Sequence, residues 1–112
     1  MKINLSYNVQ YTRFVQELEQ KNSIVLFEES LRSNATKVIY RYYLMKYFEF
    51  IDSQDPFFGN ENRTIEQKII EFIISLKQQQ KSYFVIHNHI APVLTFYAIN
   101  DIVLNDKKIK IS

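Results

Sequence analysis

Apolar positions recur every three to four residues along almost the whole chain, the spacing of helices that each bury one face. A first stretch, Thr12 to Lys21, sets Phe14, Val15 and Leu18 on one side and closes at Asn22-Ser23. A short second one runs from about Ile24 to Arg32 and stops in Ser33-Asn34. The third is longer. From Thr36 onward Tyr40, Tyr43, Leu44, Tyr47, Phe48 and Ile51 fall within one arc at about 100° per residue. Lys46 and Glu49 occupy the opposite side, and Lys37 and Arg41 flank the stripe. Asp52-Ser53-Gln54-Asp55-Pro56 ends this helix, because proline restricts the residue before it and cannot continue the hydrogen-bond ladder. Residues 57–63 hold the single glycine, Gly59, and read as a loop.

Thr64 then fits an N-cap, with Gln67 three residues on completing a capping-box pattern. Ile65, Ile69, Phe72, Ile73 and Leu76 form the stripe of this fourth helix, and Ile70 and Ile74 widen it. So broad an apolar face predicts a helix with two neighbours, at the centre of the bundle. Ser82 caps a fifth helix that reaches about Asn100, with Ile86, Ile90, Val93, Leu94 and Tyr97 on its core face. Its other side is a narrow uncharged strip of Asn88, Ala91, Thr95 and Ala98, with His87 at the edge. Pro92 lies inside this helix, removes one backbone hydrogen bond at a cost of roughly 3 kcal/mol, and predicts a kink. The tail, 102–112, alternates Ile and Val with Lys and Asn and reads as a linker or short strand. The pattern thus predicts an all-α bundle of four to five helices: an N-terminal extension over 1–23, the bundle over 24–101 and the tail.

Composition narrows the chemistry. The 112 residues contain no cysteine, which excludes disulfides, thiolate zinc sites and a cysteine nucleophile. One glycine cannot supply a phosphate-cradling loop, so nucleotide-dependent chemistry is not expected. Fourteen Lys and Arg against twelve Asp and Glu give a charge of +2, which permits a nucleic-acid partner without demanding one. Residues 82–100 carry no formal charge over about the length of a bilayer helix, but Ser82, His87, Asn88, His89, Pro92 and Thr95 make a span too polar. No apolar leader follows Met1-Lys2-Ile3-Asn4, so the expected location is the cytoplasm.

Candidate chemistry is sparse. His87 and His89 are two apart, and on a helix their rings point about 200° apart, which excludes one shared metal ion. His89 reads as a packing residue at the core edge. The carboxylate pairs Glu28-Glu29 and Asp52/Asp55 fall at helix ends in polar surroundings, and eight tyrosines sit mostly at core spacing. No catalytic constellation and no cofactor are predicted. What remains is a binding surface on the first half of the fifth helix. There Lys81 and Ser82 flank a helix N-terminus suited to phosphate, and Asn88 offers an amide that can read an adenine edge. From the residues alone, that face suits packing against another protein equally well.

Two segments resemble a known family. Thr36-x3-Tyr40-x3-Leu44-x3-Phe48, followed by Ser82-x3-Ile86-x3-Ile90-x5-Phe96-Tyr97, is similar to the core-binding, SAM-like domain of tyrosine recombinases of the phage-integrase type. The closing run Phe96-Tyr97-Ala98-Ile99-Asn100-Asp101-Ile102-Val103-Leu104-Asn105 looks most like archaeal members, and the resemblance covers about residues 24–110. It implies half of a clamp on double-stranded DNA, with two helices facing the major groove and other recombinase subunits as further partners. By position, Lys37 and Arg41 would lie on one of these helices, and Phe84, Val85 and Asn88 on the other. Pro92 departs from the pattern, where a polar side chain could reach a base. The family cleaves DNA with residues of a separate C-terminal domain, and His87-Asn88-His89-Ile90 does not replace its His-x-x-Arg. The implied role is DNA binding without catalysis by this chain; the alternative is a helical protein-interaction module.

Overall fold

In the computed structural model, which describes residues 23–53 and 55–111, the apolar stripes close into an all-α bundle. In chain order the elements are α1 (Ser23–Glu29), α2 (Asn34–Ile51), a 3-10 turn (Phe58–Asn60), α3 (Asn62–Gln78) and α4 (Tyr83–Ile99). The helix expected over Thr12 to Lys21 lies outside the described residues. Among the described residues no helix is long and apolar enough to cross a membrane.

The helix limits follow local chemistry that corrects several expected boundaries. Helix α1 stops at Glu29 rather than Arg32, because the Ser30 hydroxyl donates to the Phe27 carbonyl at 2.6 Å and the chain turns there. Helix α2 begins at Asn34, with Ser33 as its N-cap: the Ser33 hydroxyl accepts from the Thr36 amide at 3.1 Å. Helix α3 begins at Asn62, not after Thr64, and its cap residue Glu61 makes no side-chain capping bond. The Asp55 carboxylate sets that start. It accepts from the Phe57 amide at 3.0 Å and the Gly59 amide at 2.9 Å, winding the chain into the 3-10 turn that runs on into α3. Gln67 accordingly bonds Glu71 within the helix instead of reaching back.

Helix α4, not α3, is the central element. It packs against α1, α2 and α3, whereas α3 leaves Ile74 exposed. The width of an apolar face was the wrong guide, since a helix without formal charge can be covered on most sides. Pro92 is buried inside α4, which runs through it from Tyr83 to Ile99, and Phe96 joins the expected core face. The Phe96 ring has three phenylalanines around it, Phe27 at 5.7 Å, Phe48 at 5.6 Å and Phe57 at 5.6 Å between centroids. Phe57, expected in a loop, is therefore part of the core.

A buried polar pin crosses this aromatic layer. The Tyr97 hydroxyl donates to the Pro56 carbonyl at 2.6 Å, and the Tyr47 hydroxyl stands 3.4 Å from the Tyr97 oxygen. One carbonyl of the α2–α3 connection is satisfied in this way by a side chain of α4. Burial pushes both phenols well above their ordinary range.

The tail is neither a free linker nor a strand. Ile102, Leu104, Ile109 and Ile111 pack against the core, and the nearly buried Glu66 carboxylate accepts from the Asn105 amide at 2.6 Å and faces Lys108 at 3.7 Å. Asn62 adds a bond from its amide to the Val103 carbonyl at 2.9 Å. Glu66→Ala should leave the Asn105 N–H without its acceptor, a local cost of about 1–3 kcal/mol. Hydrogen exchange is expected to speed up at Asn105 while the α4 amides keep their protection; unchanged exchange at Asn105 would show that Glu66 does not hold the tail.

Candidate nucleic-acid interface

The joint between α3 and α4 aims the face singled out in the sequence. Helix α3 ends with Gln80 in the left-handed region at φ 61°, the Gln80 amide donating to the Lys77 carbonyl and the Lys81 amide to the Leu76 carbonyl. This is a Schellman closure with glutamine where glycine is usual. Two residues later the Ser82 hydroxyl accepts from the Val85 amide at 3.3 Å and starts α4.

From this cap outward the structure brings most of the predicted residues together. Lys81 and Ser82 are exposed, Phe84 is 71% exposed and His87 is exposed, while Val85 and Asn88 are half-buried. Phe84, His87 and Asn88 share one side by their three- and four-residue spacing. Tyr83, which the sequence reading passed over, is 60% exposed, with its ring 6.1 Å from that of His87. His89 turns the other way, as expected of a core-edge residue. Its Nδ1 donates to the Val85 carbonyl at 2.8 Å, and its ring lies 4.7 Å from Tyr43 and 6.2 Å from Phe72. No three His, Asp or Glu side chains converge in a metal-binding group among the described residues.

The residues predicted on α2 fare differently. Lys37 is half-buried in its first turn. Arg41 places Nε at 2.8 Å and Nη2 at 2.7 Å from the same Glu28 oxygen, tying α2 to α1. That guanidinium is a structural link between the two helices. Helices α2 and α4 advance in the same sense along their contact, with Tyr43 against His89 and Tyr47 against Tyr97.

Two further features belong to this region. Between Glu71 and Asp101 the chain has no acidic residue, so the only formal charges there are Lys77 and Lys81. Beside them, α2, the end of α3 and the start of α4 enclose a cleft of about 390 Å³ lined by Tyr42, Tyr43, Lys46, Phe72, Gln79, Lys81 and His89, with Leu76 behind. The Lys46 ammonium sits 5.3 Å from the Tyr42 ring centroid. Tyr42 and Lys46 are four apart on one helix, a pairing legible in the sequence, but the cleft needs three helices to exist. Comparisons of the chain with known protein families, curated proteins and solved structures find no match.

Proposed function

We propose that this chain is a double-stranded DNA-binding domain of the integrase core-binding type, acting without catalysis of its own. The observation that supports it most is the exposed first turn of α4, where Lys81, Ser82, Phe84 and His87 lie in a stretch free of acidic side chains. A helix N-terminus attracts phosphate, and Asn88 stands one turn further along to meet a base edge. Lys37, at the start of α2, would supply a second backbone contact.

Fluorescence anisotropy with duplex DNA at several salt concentrations tests this reading. Each phosphate contact contributes a log–log slope of about −0.9, so Lys81→Ala should weaken all sequences alike and reduce the slope by about one contact. Asn88→Ala should cost roughly 1–3 kcal/mol on a preferred site only. Absence of duplex binding at ~50 mM salt would sink the proposal.

A protein-interaction module is the second reading. Its support is the exposure of two large rings, Tyr83 at 60% and Phe84 at 71%, on a helix without formal charge. Salt-insensitive self-association by light scattering, lost in Phe84→Ala, would favour it.

A further inference from the structure

The start of α4 leaves one ring and one amide without partners among the described residues. Phe84 is 71% exposed and meets no other ring, whereas Tyr83 beside it leans on His87 at 6.1 Å. Four residues further on, the half-buried Asn88 amide makes no hydrogen bond to another described residue. Such an amide offers two donors and an acceptor, and their partial desolvation is a cost that a ligand can recover. Phe84 and Asn88 share one helix face about 6 Å apart along the axis, close to two base-pair steps of about 3.4 Å. The charge around them has one sign, since Lys77 and Lys81 are the only formal charges between Glu71 and Asp101. Helix α4 itself carries no Lys or Arg, and reading guanine through two hydrogen bonds needs one of them. An asparagine amide suits adenine, and an apolar ring suits the one apolar group of the major groove, the thymine methyl.

We propose that this face selects A·T over G·C base pairs, Phe84 packing on a thymine methyl while Asn88 bonds an adenine one or two steps away. The proposal rests on the duplex-binding reading and adds to it a class of site and a specificity-determining residue. Lys81 then contributes affinity for any sequence, and Phe84 contributes only to the choice among sequences. A second copy of this chain fits the face less well, because a symmetric contact would set Lys77 and Lys81 against the same charges of its partner.

Three probes test it on the full chain by fluorescence anisotropy at low salt: short duplexes of alternating A and T, of alternating A and U, and of alternating G and C. Uracil differs from thymine only in lacking the methyl group. The A/U duplex should therefore bind about fourfold more weakly than the A/T duplex, the worth of one buried methyl, and the G/C duplex more weakly still. Phe84→Ala should remove the difference between A/T and A/U, and Phe84→Leu, which keeps an apolar side chain, should retain most of it. Asn88→Ala should lower A/T and A/U binding alike relative to G/C. Lys81→Ala should weaken all three duplexes and leave their ratios unchanged. Equal affinity for the A/T and A/U duplexes would overturn the proposal and leave the duplex reading standing, as would a difference that survives Phe84→Ala or a G/C duplex bound as tightly as A/T. Binding of none of the three removes both readings. If Phe84→Ala abolishes self-association and leaves the A/T to A/U ratio as it was, the ring belongs to a second copy and the proposal fails.

Discussion

Phe96→Ala is expected to lower the unfolding free energy by about 3–5 kcal/mol, a large part of the roughly 5–15 kcal/mol that holds a domain of this size. The ring is fully buried and meets Phe27 of α1, Phe48 of α2 and Phe57 of the α2–α3 connection, so its loss opens a void among three separately held segments. None of these can collapse into it without pulling on its own element, which places the cost toward the upper end of the range. With a urea dependence of about 1–2 kcal/mol per molar, the midpoint should fall by roughly 1.5–5 M, and the variant should be partly unfolded at ambient temperature. Phe84→Ala is the control: that ring is mostly in solvent and its removal should change stability by no more than about 0.5 kcal/mol. Equal midpoints for the two variants would refute the assignment of Phe96 to the centre of the core.

Alkaline pH should unfold the protein through Tyr47 and Tyr97. Their folded phenols titrate well above the ordinary value, mainly because burial penalises the phenolate; Tyr47 raises Tyr97 further, while the hydrogen bond with Tyr97 partly offsets the rise at Tyr47. In the unfolded chain both lose their protons near about pH 10. Above that pH the unfolded state therefore binds fewer protons than the folded one, and stability falls as pH rises. The contribution is fully present below about pH 10 and declines by about 1.4 kcal/mol per pH unit for each tyrosine until the folded values are reached. Denaturant midpoints at about pH 8 and about pH 11 measure it, with ultraviolet titration of the phenols alongside. Tyr97→Phe should roughly halve the alkaline slope. At neutral pH it should cost about 1–3 kcal/mol, because the Pro56 carbonyl then stays buried without its donor. A midpoint independent of pH across this range would mean that the two hydroxyls are solvated.

The helices were legible in the sequence because periodicity is a local quantity: the stripe from Tyr40 to Ile51 and that from Ile65 to Leu76 each face the core as their spacing predicts. The serine caps at Ser33 and Ser82 are local as well. The start of α3 was not, because it is set by the Asp55 carboxylate across the intervening turn, and Thr64, a good cap by type, sits inside the helix. Helix ends were hidden for a related reason. Gln80 and Asp101 close α3 and α4 in left-handed backbone where the usual signal is glycine.

Tertiary pairing was beyond reach altogether. Nothing local marks Arg41 as the partner of Glu28, 13 residues earlier, or Glu66 as the anchor of the amide at Asn105, 39 residues later. At the candidate site, the exposure of His87 and the inward turn of His89 followed from helical phase, whereas Phe84 entered only through the family resemblance. The cleft did not, because its wall is assembled from three helices whose relative placement no single stripe encodes.

The joint at Gln80 has a mechanical consequence. A residue other than glycine, asparagine or aspartate in the left-handed region costs about 1–2 kcal/mol, and here that strain lies immediately before the turn that presents Lys81, Ser82 and Phe84. The bonds from the Gln80 amide to the Lys77 carbonyl and from the Lys81 amide to the Leu76 carbonyl hold that geometry, and the strain offsets part of what they contribute. The packing at Phe96 thus carries, besides the core itself, a strained joint on which the first turn of α4 is mounted.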